Sequence, residues 1–261
     1  MNKLLTSGRS MLVYDIFQRY THVFGFSTTR HGGCSEGAYA SMNCTHYCGD
    51  TPEHIVRNRE ILLGMLPRQS VELVIPRQTH STCVRIISST ASLQDMEGVD
   101  AVVTHLSGYC LCVSTADCIP VLLYDTRQKV IAAIHAGWRG TVGRIVEKTM
   151  QAMSEYYGTK GEDVVACIGP GISLEAFEVG DEVYAAFDEA GFDMSCIARR
   201  YEKWHLDLWE ANRLQLLASG VRKERIEVAG ICTYHQCNDF FSARRLGIKS
   251  GRILTGIVLI N

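Results

Sequence analysis

The chain has 261 residues, 46% of them hydrophobic, enough to bury a large core as one domain or two tightly joined ones. Its formal net charge is −2 and its charged residues, 21% of the total, are spread through the sequence, so neither nucleic acid nor an anionic membrane is expected as main partner. The start lacks the apolar stretch of a signal peptide and no segment approaches a membrane span, so a cytoplasmic address is expected.

In chain order, a β-rich run is predicted at residues 23–27 and a helix at 51–63, with Ile55, Ile61 and Leu62 on its apolar side. Strands follow at 72–75, 83–87, 101–104, 110–114, 119–124 and 130–134. After Gly140, Thr141 is placed to cap a helix whose apolar positions are Val142, Ile145, Val146, Thr149, Met150 and Met153. A strand at 164–168 and a short helix at 180–190 come next. The run 206–218 carries Leu208, Ala211, Leu214 and Leu217 on one face and stops at Gly220. Strands at 226–229 and 253–260 close the chain. No repeat, low-complexity segment or Pro-rich linker interrupts it, so one domain over residues 1–261 is expected. Strands in blocks with few helices between them predict an α+β fold (α/β in the broad sense), a mixed β-sheet sandwich flanked by helices.

Eleven cysteines are present without a CxxC pair, which argues against zinc ribbons and thioredoxin-like redox chemistry. Cys110, Cys112 and Cys167 sit inside apolar runs and read as reduced, buried thiols.

The most informative stretch is TADCIPVLLYDTRQKVIAAIHAGWRG, residues 115–140. Two apolar strands flank a polar turn at 125–128, and a symmetric hairpin makes Tyr124 face Lys129, Ile119 face Ile134 and Cys118 face His135. Directly opposed residues share a face with Cβ atoms about 4.5–5.5 Å apart, close enough for two ligands of one metal or a thiol and its base. His80, in PRQTHST, is a third candidate, and Cys-His-His with an open fourth position is a catalytic zinc arrangement. The alternative is structural: two satisfied histidines at strand ends and one more buried thiol. The sequence lacks GxxxxGK[ST], GxGxxG, HxE with PCxxC, HxH and HExxH, which removes most support for triphosphate, dinucleotide, base-deaminase, copper-cluster and zincin chemistry.

The segments FSTTRHGGCSEGAYASMNCTHYCGDTPEHIVRNRE, RQTHS, TADCIPVLLYD, IHAGWRG, IGPGIS and CTYHQCNDFFSARRLGIKSGR resemble the laccase-domain family, first named polyphenol oxidases and later assigned as purine nucleoside phosphorylases. The likeness runs in order from about Phe24 to the C-terminus. It implies a sandwich-like domain similar to the cytotoxic necrotizing factor-like cysteine-hydrolase fold. It also implies phosphorolysis of adenosine, inosine and S-methyl-5′-thioadenosine, together with adenosine deamination. The family's metal ligands fall on His80, Cys118 and His135, with Zn2+ as the implied cofactor and copper less favoured. The chain departs from the usual pattern at Thr51, Ala243 and Leu246.

Phosphorolysis needs cations or backbone amides to hold phosphate. Arg30, Arg59, Arg139 and Arg244 lie in family-like segments, and Arg59, at the start of an amphipathic helix, is preferred. Asn43 and His46 are candidates for contact with a ribose or base edge. Gln78 shares a face with His80 if that stretch is extended. Asp117, turned away from Cys118 by strand alternation, reads as a cap or turn residue, and Trp138 as a candidate purine stacker. The rival functions are a thiol hydrolase or amidase using Cys118 and His135, a copper phenol oxidase, and a non-enzymatic scaffold.

Overall fold

Strands 119–125 and 130–136 carry apolar residues at successive positions without the alternation of a half-exposed strand, and all fourteen of these residues are buried. Such strands need cover on both faces. The computed structural model describes residues 2–6, 9–67 and 70–260 and supplies that cover with a second sheet on one side and helices on the other.

The strands are β1 (Asn2–Thr6), β2 (Arg9–Val13), β3 (Val23–Thr28), β4 (Glu72–Val74) and β5 (Cys83–Ile87). Next come β6 (Val99–Thr104), β7 (Tyr109–Thr115), β8 (Ile119–Asp125), β9 (Val130–Ala136) and β10 (Val164–Ile168). The last are β11 (Glu178–Val179), β12 (Ala198–Arg200), β13 (Trp204–Leu206), β14 (Ile226–Val228) and β15 (Ile253–Leu259). One six-stranded sheet runs β1-β2-β3-β15-β7-β4, the other β14-β10-β8-β9-β6-β5, and β11-β13-β12 form a small third sheet. Parallel pairs (β4 with β7, β5 with β6, β10 with β14) occur among antiparallel ones, so both large sheets are mixed.

The helices are α1 (Asp15–Gln18), α2 (Pro52–Leu63), α3 (Trp138–Val142), α4 (Ile145–Tyr157), α5 (Asp181–Glu189), α6 (Met194–Ile197), α7 (Leu208–Ala218) and α8 (Ala243–Leu246). Period-two alternation then sorts the core into layers. Leu122, Tyr124, Ile131 and Ala133 meet Leu111, Val113 and Ile257 between the sheets. On the opposite face, Val121, Leu123, Ala132 and Ile134 pack on Val146, Met150 and Met153 of α4 and on Ala211 and Leu216 of α7. The outer face of the first sheet, with Cys110, Cys112 and Val258, buries Ile61 and Leu62 of α2. The layers are therefore helix, sheet, sheet, helix, the expected α+β sandwich.

Several expectations need correction. In the 119–136 hairpin, Asp125 pairs with Val130 and Ile119 with Ala136, so the register is two residues away from the symmetric one. Asp125 Oδ1 accepts the N–H groups of Arg127 and Gln128, and Lys129 takes a positive φ of 56°, which makes 126–129 the turn. The helix after Gly140 begins earlier, at Trp138, and breaks at Arg144, whose φ is 62°. Thr141 is no cap: it is buried, accepting Asn212 Nδ2 at its hydroxyl and Gln215 Nε2 at its carbonyl. The β1–β2 hairpin had no counterpart among the predicted strands. The cap of α7 is Asp207, which accepts the Glu210 N–H, so that helix starts two residues later than its apolar periodicity suggested.

Leu122 is fully buried between the sheets. Leu122→Ala is expected to lower unfolding stability by about 2–5 kcal/mol, read as a shift of the urea midpoint with unchanged slope.

Candidate metal centre

The chain passes twice from the first sheet to the second at one end of the sandwich. Residues 75–82 lead from β4 to β5 and carry His80, while 116–118 lead from β7 to β8 and carry Cys118. His135 lies near the end of β9, and Asp100 near the start of the neighbouring β6, one rung along from the Ala101–Ile134 pair.

Asp100 organises both histidines. It is fully buried, and its Oδ1 accepts His80 N at 3.0 Å and His135 Nδ1 at 2.7 Å. Its Oδ2 accepts Thr79 N at 3.0 Å and Ser81 N at 2.9 Å. Three consecutive amides converging on one carboxylate curl the loop, and His80 sits in the left-handed region at φ 62°. Because Nδ1 of His135 is engaged by Asp100, its Nε2 is the nitrogen left to act as a ligand.

The result is a compact donor set. One ligand atom each from His80, Cys118 and His135 lies within 4.8 Å of the others, with His80 Nε2 and Cys118 Sγ 3.6 Å apart. A thiolate and two imidazoles so disposed suit zinc or another soft to borderline metal. Gly137, next to Cys118 across the hairpin, leaves room for them. A Cβ there would fall 2.7 Å from His80 Cδ2 and 3.1 Å from Cys118 Sγ.

The electrostatics favour charge separation within the pair. Burial alone would raise the Cys118 thiol, but the charge and hydrogen bonds of His135 and His80 overcome this and bring it to about 6. Burial alone would lower His135, but the charge of Cys118 and the bond to Asp100 raise it to about 9. Asp100 would likewise be raised by burial, yet His135 and the loop amides hold it below the ordinary carboxylate range.

All three donors line a cleft of about 600 Å3, within the usual range for a small-molecule site. Its apolar wall includes Trp138, Ile172, Phe177 and the strongly exposed Ile248, and its polar wall Tyr47, Gln78, Arg244 and Arg252. Asp117 lines it too, contrary to the expectation that alternation turns it away. It precedes the strand, at φ 89°, and accepts Thr233 Oγ1 and Arg244 N, both at 2.7 Å. Gln78 also reaches the cleft, but its amide bonds in both directions to the Ser114 backbone, and the turn at His80 shows that this stretch is not extended.

Arg30, Asn43 and Arg59 do not line the cleft. Arg30 donates to the carbonyls of Ala40 and Cys237 and lies over Phe241. Asn43 is fully buried and knits Thr45, Asp50 and Arg252 together. Arg59 donates to Cys44 O and contacts His46, beside a second cavity. Asp100 was absent from the sequence-derived candidates, although an acid inside the apolar run VDAVVT was its signal. All eleven cysteines are free, as their distribution implied.

A sheet-on-sheet sandwich with three potential metal donors lining an end cleft defines the class of protein as α+β with a candidate metal site. The sequence profile of the family described as multi-copper polyphenol oxidoreductase laccase matches residues 24–260, and the chain belongs to that family. It is 55% identical over 265 residues to a purine nucleoside phosphorylase of Bacteroides thetaiotaomicron, covering 98% of each chain. It is 42% identical over 253 residues to adenosine deaminase RL5 of an unknown prokaryotic organism, covering 93% of this chain and 96% of that one. The crystal structure of YlmD from Geobacillus stearothermophilus superposes with a TM-score of 0.89 at 30% identity, covering 99% of this chain and 98% of that one.

Gly137→Ala is expected to weaken metal binding at least about tenfold while leaving the fold intact, as measured by chelator competition and circular dichroism. The thiolate–imidazolium pair also sets a proton count. Between about pH 6 and pH 9 the Cys118–His135 pair carries one proton and must release it on metal binding. Below about 6 the thiol is protonated as well, and the pair releases two. Calorimetry in buffers of different ionisation enthalpy should show this pair's contribution rising by about one proton as pH falls through 6, with metal affinity declining more steeply there.

Proposed function

We propose that the protein is a zinc-dependent purine nucleoside enzyme acting in the cytoplasm as a single domain. It carries out phosphorolysis of adenosine, inosine and S-methyl-5′-thioadenosine, and deamination of adenosine to inosine. The observation that carries this reading is the convergence of His80, Cys118 and His135 on a nucleoside-sized cleft, in a chain whose close relatives bear these two enzyme names.

His80, Cys118 and His135 would hold the metal, which supplies a Lewis acid when bound. Asp100 fixes the tautomer of His135 and resists loss of its geometry during turnover. Trp138, Ile172 and Phe177 offer the purine an apolar wall and displace water from it. In phosphorolysis, a phosphate oxygen bonds to the ribose C1′ as the bond to the purine nitrogen breaks, and the phosphate's proton ends on the departing base. In deamination, water adds at the purine C6 and ammonia leaves. Gln78 keeps the Ser114 edge of the cleft fixed for either reaction through its two backbone hydrogen bonds.

Among the described residues, the structure brings together one cluster of three potential metal ligands. Multi-copper oxidation requires several metal positions, so this ligand count favours the nucleoside reading over phenol oxidation.

A second reading has its own observation. Cys118, His135 and Asp100 form a thiol–imidazole–carboxylate chain of the kind that activates a nucleophile, which suits a thiol hydrolase or amidase. The two readings differ over His80, which only the metal reading needs.

The deciding test is metal analysis of the purified protein, with adenosine incubated with and without phosphate. Near-stoichiometric zinc and phosphate-dependent adenine release are expected, with activity falling at least about a hundredfold in both Cys118→Ala and His80→Ala. Full activity in His80→Ala would transfer the assignment to the thiol mechanism. Untouched adenosine in a zinc-loaded preparation would end the nucleoside reading.

A further inference from the structure

Phosphorolysis requires an anionic phosphate beside the nucleoside, and the choice of a residue to bind it rests on the phosphorylase reading of the cleft. Among the described residues, the cations lining the cleft are Arg244 and Arg252, apart from the two histidines of the candidate metal cluster. They are not equivalent.

The Arg252 guanidinium is consumed by its own loop. It donates to Ser250 O at 2.6 Å, Gly251 O at 3.0 Å and Ile248 O at 2.9 Å. Withdrawing it would strip three carbonyls of their donors. Arg244 is lightly held by comparison. Both terminal nitrogens converge on a single acceptor, Glu178 O, each at 3.2 Å. A guanidinium has five N–H donors in a planar fork, so most of its capacity is left for a ligand. Its central carbon lies 5.5 Å from the centroid of the Phe177 ring, which also lines the cleft.

The backbone of Arg244 is held more firmly than its side chain. Its N–H is taken by Asp117 Oδ2 at 2.7 Å, while Asp117 Oδ1 accepts Thr233 Oγ1 at 2.7 Å. Asp117 immediately precedes Cys118 and lends its carbonyl to Ile172 N at 2.9 Å. The C-terminal segment carrying Arg244 is thereby pinned to the turn that carries a donor of the metal cluster. A pinned backbone with an under-used guanidinium is the arrangement expected of an anion-binding arginine that must reach one fixed place.

We infer that Arg244 is the phosphate-binding residue of the cleft, its backbone fixed to the Cys118 turn through Asp117. This assigns to the C-terminal segment the role that sequence had favoured for Arg59, whose guanidinium is bonded to Cys44 O and His46 outside the cleft.

The test is steady-state kinetics of the zinc-loaded enzyme on inosine and phosphate, comparing wild type with Arg244→Gln and Arg244→Lys. Loss of a charge-assisted contact raises the KM for phosphate at least about tenfold in Arg244→Gln. The KM for inosine rises much less, and Arg244→Lys recovers part of the loss because it keeps the charge without the fork. Zinc content and thermal midpoint, measured in parallel, separate this from damage to the fold. An unchanged phosphate KM in Arg244→Gln overturns the inference while leaving the phosphorylase reading intact. Equal rises in both KM values also overturn it, since Arg244 would then act on the nucleoside. A wild-type enzyme that releases no base in a phosphate-dependent way removes the phosphorylase reading and this inference with it.

Discussion

One buried carboxylate sets the geometry on which the candidate site depends. Burying an isolated charge costs several kcal/mol, and Asp100 meets that cost with four hydrogen bonds, from three consecutive loop amides and from the ring of His135. Bonds to a charged acceptor each contribute about 1.5–3 kcal/mol, so the set is strong enough to hold both the loop and the ring. The same four bonds aim His80 and His135 at Cys118. The stability of the turn and the pre-organisation of the donors therefore have a common source.

The sandwich explains why the site lies where it does. Two passages of the chain from the first sheet to the second occur at one end, and each delivers a ligand candidate to the gap between them. The C-terminal segment then forms a wall of the opening, tied to the cluster by Asp117. Several polar groups of the cleft are already bonded within the protein: the Gln78 amide, the Asp117 carboxylate and the Arg252 guanidinium. Among the described residues, the donor cluster, the aromatic surfaces and Arg244 remain open to a ligand.

The strands were legible because a strand buried on both faces must be apolar throughout, and the helices because α2, α4 and α7 each bury one periodic face. His135 pairs with Pro120 rather than with Cys118, yet the expectation that Cys118 and His135 share a face survived the incorrect register for a physical reason. The true hairpin is offset by two residues, and an even offset keeps every side chain on its original face. An odd one would have separated the two. The break between α3 and α4 was not legible, because it depends on Arg144 taking a left-handed conformation inside an otherwise helical pattern. That Arg59 does not line the cleft was not legible either, because an arginine's environment is made by distant carbonyls that a local pattern does not reveal.

The sequence by itself determined the layer structure, the reduced state of the thiols and the three donor types, since these follow from periodicity, composition and ligand chemistry. It also carried the family, through motifs spread over nearly the whole chain. Only the tertiary structure decided that Asp100 governs both histidines, that Gly137 leaves room for the donors, and that Arg244 rather than Arg30 or Arg59 faces the cleft. These are contacts between segments far apart in the chain. They are fixed by how the two sheets stack and by where the crossing loops meet, and no local pattern encodes them.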